Sequence, residues 1–382
     1  MHVTRAANAV GAVRYAPFPA ATEADAAVKR WPYNDGPRPG EWVWSWLARL
    51  ARGNGVAVAS LVGIVWPEAK MRAATGAVMP DCTMHLLSQV TTASPEAIRA
   101  ASTSSLLLEL GLKRDRVETP RSWPEWICSP APNARYQICV KCLGSEPNPL
   151  WPVCDFGRQH WCFGFFTCCN MHESLLTDLC PECASPVRLL DDWGRLLVCP
   201  RCARPYRTRT VSNARSVHIL AQTAQIRLSQ VFADRNAELP EIGSVSASDY
   251  FEVVWGLMRI ANGEGGMSCG FLPEAARSVL LERHGSGIRQ IFDDAIHSLR
   301  DTRVTVPMPM RHNSVAHRAN LALLAVPLAD AWPKALSSAD PGRFTTNHAM
   351  NIIRGLPLWA KNALLPMGWS REFLFGSKGT NR

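Results

Sequence analysis

The chain has 382 residues, 47% of them hydrophobic, a formal net charge of +9, thirteen cysteines and fourteen tryptophans. That is length enough for two or three domains with real cores, and the basic balance favours anionic partners. No apolar run reaches the roughly 18 residues of a membrane span, and no convincing signal peptide precedes residue 30, so the cysteines are expected in a reducing compartment as metal ligands and not as disulfides. A cytoplasmic, nucleoid-associated protein without membrane contact is the expectation, and the many tryptophans suggest several small cores with aromatic anchors.

Residues 1–40 carry Pro17, Pro19, Pro32, Pro37 and Pro39, which break any long element, with Phe18, Trp31 and Tyr33 pinning the arm to the body. The first helix is expected over 41–52, because Val43, Trp46, Leu47 and Leu50 fall on one face. Glu41 would sit in its first turn and Arg52 in its last, as the helix dipole favours, and Gly53-Asn54-Gly55 would end it. A second helix over 56–65 completes a helix-turn-helix outline. Asp81 can start a helix running through Gln89. Ser94-Pro95-Glu96 is a strong helix start, giving a helix over 95–101 with Arg99, Ser102, Thr103 and Ser104 on its polar side, a candidate recognition helix.

Proline and tryptophan crowd residues 118–135, which reads as a boundary. Helical periodicity returns after Arg215, over 217–233, 247–260, 273–283, 288–299, 337–354 and 356–365, with 319–332 as a buried helix and a disordered tail from Ser377. No internal repeat is evident. The fold expected is mostly α with small β zinc-ribbon elements. It has an N-terminal helical, helix-turn-helix-like domain over 1–125, a double zinc-finger module over 126–212 and a helical C-terminal domain over 213–382.

Between these helices lie four ligand pairs: Cys139-x2-Cys142, Cys169-x2-His172, Cys180-x2-Cys183 and Cys199-x2-Cys202. Two residues between ligands form a turn that brings both onto one ion, and two such pairs close a tetrahedron. Fifteen residues separate the last two pairs, the zinc-ribbon spacing. The first site needs Cys139 and Cys142 to meet Cys169 and His172 across 26 residues. Two structural Zn2+ ions are expected, each with four ligands. Cys82, Cys128, Cys154, Cys162 and Cys269 lack partners at ligand spacing and read as core cysteines, while Cys168 could replace Cys169. From Arg195 to Arg215 six arginines occur with no acid. Of these, Arg201, Arg204, Arg207 and Arg209 are candidate DNA contacts, since guanidinium forks suit phosphate oxygens.

Catalytic patterns are absent: no G-x-x-x-x-G-K-[ST], no H-E-x-x-H, no deaminase H-x-E with P-C-x-x-C. A non-enzymatic DNA-binding protein fits best. A zinc-ribbon transcriptional regulator and a metal-dependent nuclease are the alternatives.

The segment Pro39-Gly40-Glu41, Ser45-Trp46-Leu47, Arg49-Leu50-Ala51, Asn54-Gly55 resembles the N-terminal signature of TniQ-family transposition proteins. The second signature is similar too: Cys139, Cys142-Leu143, Phe156 and Arg158 before Trp161, Cys169-x2-His172, Cys180-Pro181-x-Cys183. Trp161 stands eight residues before Cys169, the family's register, which favours Cys169 over Cys168. Asn170 departs from the family's frequent proline, and the loop 147–153 lacks its Tyr-x-Arg. The resemblance covers about residues 37–205. It implies a target-site selection adaptor that binds DNA, or a DNA-bound targeting complex, and recruits an AAA+ ATPase. It also allows contact with the transposase, an RNA-guided CRISPR complex or a second copy of the chain.

Overall fold

The computed structural model describes residues 30–66, 79–112, 126–127, 136–144, 156–190, 196–206, 219–262, 271–284, 292–293, 296–297, 314–336 and 347–376. Most of them are helical. In chain order the N-terminal helices are α1 (Val43–Gly53), α2 (Val58–Val65), α3 (Asp81–Val90), α4 (Pro95–Ala101) and α5 (Thr103–Glu109). The cysteine-rich middle holds α6 (Val140–Gly144) and the hairpin β1 (Cys168–Cys169), β2 (Ser174–Leu175). Then come α7 (Ile219–Asp234), the hairpin β3 (Asn236–Leu239), β4 (Gly243–Ser246), α8 (Ala247–Ala261), α9 (Phe271–His284), α10 (Val315–Asp330), α11 (Asn347–Gly355), α12 (Leu358–Leu364) and α13 (Arg371–Phe375).

Helix α1 starts two residues later than expected, and Glu41 lies outside it. Trp42 is the N-cap, in extended conformation. The Glu41 carboxylate is not a dipole partner but the centre of a buried network, only 1% exposed. It accepts from Arg38 N at 2.9 Å, from Ser45 Oγ at 3.3 Å and from Arg49 Nη2 at 2.7 Å. Arg49 in turn donates to Tyr33 OH and to the Gly36 carbonyl, which straps the incoming arm across the helix. The carboxylate raises the Arg49 pKa despite burial, so the guanidinium stays charged. Asn54 closes the helix, donating to Leu50 O at 2.9 Å and holding both backbone groups of Tyr33. Glu41, Ser45, Arg49 and Asn54 thus have structural duties.

The turn at Gly55, with φ of +68°, sends α2 off at 107° to α1. That angle suits a helix-turn-helix. Its second helix, however, exposes Ala59, Ser60, Gly63 and Ile64, none of them charged. On α4, Ser94 caps Ala97 N at 3.2 Å with Pro95 at the first position, as the sequence signals. The polar side drawn for that helix is corrected. Ser102 leaves α4 and caps α5 through Ser105 N, and Thr103 and Ser104 are buried. Thr103 accepts from the Trp42 indole, so it faces the core and not a partner.

The tryptophans do not anchor separate small cores. Trp42, Trp46, Trp126, Trp161 and Trp332 belong to one contiguous cluster that runs from α1 to the C-terminal helices. The N-terminal helices join the middle by backbone pairing of Glu41 with Arg158, with Trp42 N donating to Gly157 O at 2.9 Å. Trp42 also stacks on Tyr136 with ring centroids 5.6 Å apart. A Cβ at Gly157 would meet Leu189 Cδ1 at 2.6 Å, so Leu189 would have to shift to admit one.

In the C-terminal part α8 packs on α10, and α7 on α10. Helix α10 is buried nearly all round, as expected of an apolar helix without an amphipathic stripe. Tyr250 and Arg227 both donate to Asp330 Oδ1 at 3.0 Å inside this bundle. The hairpin β3–β4 was not expected; Gly243, at φ of +84°, supplies its turn. Of the helix expected over 288–299 only residues 292–293 and 296–297 are described, as helix, and 337–346, Phe18 and the tail from Ser377 lie outside the described residues. Among the described residues no single helix is long and apolar enough to cross a membrane.

Candidate metal centres

Two clusters of ligand atoms form in the middle of the chain. In the first, Cys139, Cys142, Cys169 and His172 bring three sulfurs and Nδ1 within 4.8 Å of one another. Cys142 Sγ lies 3.6 Å from Cys169 Sγ and 3.3 Å from His172 Nδ1. His172 Nδ1 is 3.6 Å from both Cys139 and Cys169. Four ligands about 2.0–2.3 Å from one zinc would stand roughly 3.3–3.8 Å apart at tetrahedral angles, so the edges fit that ion. The hairpin β1–β2 sets the second pair: Glu173, at φ of +45°, turns the chain so that its N–H reaches Cys169 O at 2.8 Å. Successive residues of a strand face opposite ways. Accordingly Cys168 lies outside the cluster, packed on Leu175, where burial pushes its thiol up to about 11. Crowding splits the ligand thiols: a hydrogen bond from Cys142 holds Cys139 down at about 2, and the same contact pushes Cys142 up. A cation held at the centre would relieve that competition by taking thiolates from all three.

The second cluster joins Cys180, Cys183, Cys199 and Cys202, again within 4.8 Å. Cys180 and Cys202 sulfurs are 3.8 Å apart, Cys183 and Cys199 3.5 Å. An internal repeat, missed in the sequence, builds it. Leu179-Cys-Pro-Glu-Cys-Ala-Ser-Pro186 and Val198-Cys-Pro-Arg-Cys-Ala-Arg-Pro205 are two copies of one eight-residue knuckle. Each closes with a bridge between its end residues, Leu179 with Pro186 and Val198 with Pro205. Each turns on a left-handed alanine, Ala184 at φ of 54° and Ala203 at 56°, whose N–H returns to the first cysteine's carbonyl at 2.9 Å. The repeat escapes notice because only its cysteines, prolines and alanines coincide. One variable position matters: Ser185 Oγ lies 3.0 Å from Cys199 Sγ and 3.1 Å from Cys183 Sγ. Burial opposes ionisation of Cys199, but this hydroxyl helps bring its pKa down to about 6. Hydrogen bonds of this kind orient ligands and tune a metal.

The first cluster is also held from behind. Gln137, two residues before Cys139, donates through Nε2 to the carbonyls of Phe163 and Phe166, both at 2.7 Å, and accepts from Arg318 of α10 at 3.0 Å. Gln225 of α7 accepts from Thr167 N at 2.7 Å and Cys168 N at 3.2 Å, next to the ligand strand. Asn170, the departure from the family's proline, donates to Ser229 of α7 at 3.1 Å. Phe163, Phe165 and Phe166 bury against Phe232 and Phe251, with Phe165 stacked 4.3 Å from Phe251. His160, enclosed by Trp161 and Phe166, has its pKa lowered to about 4 by burial and by Arg158, which leaves it neutral.

The arginine stripe is partly corrected. Arg201 and Arg204 are exposed on the second knuckle, beside Cys202. Arg204 does have an acid opposite: Glu182 of the first knuckle accepts from it at 2.7 Å, a pair the stripe's own sequence hides. Arg207 and Arg209 lie outside the described residues. Cys82 is exposed on α3 and so is not a core cysteine, because the start of that helix faces solvent. Cys162 is buried near Thr103. Cys128, Cys154 and Cys269 lie outside the described residues.

No curated protein matches the chain. The family model of TniQ matches residues 32–176, a span that holds α1 to α5, the Glu41–Arg49 network and all four residues of the first cluster. The match assigns residues 32–176 to the TniQ family.

Proposed function

We propose that this protein is a non-catalytic target-site selection adaptor of transposition. In this reading it holds two structural Zn2+ ions, binds DNA or a DNA-bound targeting complex, and recruits an AAA+ ATPase. The TniQ match over residues 32–176 carries the reading. The two tetrahedral clusters support zinc, since three or four thiolates with closed coordination suit a structural ion and leave no open position for substrate. The chain has no nucleotide-binding loop, so energy coupling falls to the partner. The test is a pull-down with the ATPase encoded beside this gene, with and without DNA. Recovery of that ATPase is expected; none under either condition favours the zinc-ribbon regulator.

DNA contact is assigned to Arg201 and Arg204 of the second knuckle and to Arg207 and Arg209, which follow it in sequence, all on phosphates. Replacing Arg204, Arg207 and Arg209 by Ala is expected to weaken binding equally on all sequences. The slope of log affinity against log salt should flatten by roughly one unit per lost contact. The ion pair with Glu182 adds a sharper expectation. Glu182→Gln frees Arg204 and should strengthen binding on every sequence, without altering zinc content. Unchanged binding by both variants removes the knuckle from the DNA contact.

A further inference from the structure

The C-terminal end of the chain is basic. Residues 341–382 contain six Lys or Arg and a single acid, Glu372. Three of those cations, Arg354, Lys361 and Arg371, lie on α11 to α13, and none of them forms an ion pair with a described residue. They surround exposed apolar side chains. Leu358 is 63% exposed and Phe375 38%. Lys361 Nζ sits 5.2 Å from the Phe375 ring centre and Arg371 Cζ 5.8 Å from it. Leu358 and Lys361 are three apart on α12, hence neighbours on its surface. Leu358, Lys361, Phe375 and Arg371 are therefore contiguous: an apolar centre with a cationic rim. The rim is held in place, because Lys361 donates to Arg354 O at 3.0 Å and Arg354 donates to Phe373 O at 3.0 Å.

We propose that α11 to α13 form a docking surface for a partner protein's segment in which Leu or Phe side chains alternate with carboxylates. Charge complementarity selects the acid, and the exposed leucine selects a protein over a nucleic acid, since phosphates leave Leu358 uncovered. Apolar anchors inside a charged rim are how protein interfaces concentrate affinity. This surface lies beyond the TniQ match and does not depend on the target-selection reading.

The test uses the full zinc-loaded chain and short dye-labelled peptides alternating Glu with Leu and Phe, read by fluorescence anisotropy. Saturable, salt-sensitive binding is expected. Leu358→Ser and Lys361→Glu should each weaken it by about tenfold, and oligoglutamate of equal charge should bind about tenfold more weakly or worse. Leu358 is exposed, so Leu358→Ser should keep the parent's circular dichroism and zinc content. Three results overturn the proposal. One is parental affinity in Leu358→Ser. Another is equal competition by oligoglutamate or duplex DNA. The third is no peptide binding, with the substitutions altering only self-association in sedimentation, which would make the occupant a second copy of this chain.

Discussion

Cys142→Ser is expected to abolish the folded state and to lower bound zinc from two ions per chain. The ligand set is shared between the short helix α6 and the hairpin β1–β2, which are too small to stand alone. A structural zinc site contributes on the order of 10–16 kcal/mol of apparent binding energy. Total stability of a domain is about 5–15 kcal/mol. Losing the first ion therefore removes as much as the fold has, and no local relaxation compensates, because Cys139, Cys142 and Cys169 lie inside the common core. Cys180→Ser should likewise open the second site. Cys168→Ser gives the contrast: its thiol is buried but outside the cluster, and a small change in packing costs about 1 kcal/mol. Elemental analysis with thermal denaturation checks all three. If Cys168→Ser is more damaging than Cys142→Ser, or Cys142→Ser retains two ions, the ligand assignment is wrong.

Arg49→Ala is the second large expectation, at about 3–5 kcal/mol of destabilisation, because it strands the Glu41 carboxylate in the core. The guanidinium also holds Tyr33 and Gly36, so the arm before α1 should loosen with it. Glu41→Leu combined with Arg49→Met should recover part of the loss, since the unpaired charge causes most of the damage. Arg204→Ala breaks an ion pair of the same length, but one that is 68% exposed on the arginine side, and should cost less than about 1 kcal/mol. Urea midpoints of the four proteins decide the matter. Equal midpoints for Arg49→Ala and Arg204→Ala would mean that burial of the Glu41 pair carries no energetic weight.

Much of this was legible in the residues. Helix starts with a local mechanism, such as Ser94-Pro95, are fixed by bonds within one turn and could be read directly. The cysteine pairs are equally local, and their grouping follows from spacing. What could not be read depends on distant partners. Glu41 fits a first turn as well as a buried ion pair, and Arg38, Ser45 and Arg49 decide between them only once the chain is folded. Thr103 and Ser104 look like a polar face until Trp42 lies against them, 61 residues away. The hairpin at 236–246 carries no Asn-Gly or Asp-Gly turn, so its pairing left no signature. Ser185 gives no sign in the sequence that it touches two ligand sulfurs.

The grip of α7 and α10 on the ligand strand bears on where this protein can be cut. A fragment ending at residue 176 would match the family and still be a poor laboratory object. Thr167 N and Cys168 N would lose the Gln225 acceptor, Gln137 would lose Arg318, and three phenylalanines would lose Phe232 and Phe251 and face water. An acceptor at position 225, a donor at 318 and the rings of Phe232 and Phe251 are the points at which the C-terminal helices meet the half that carries the cysteine clusters.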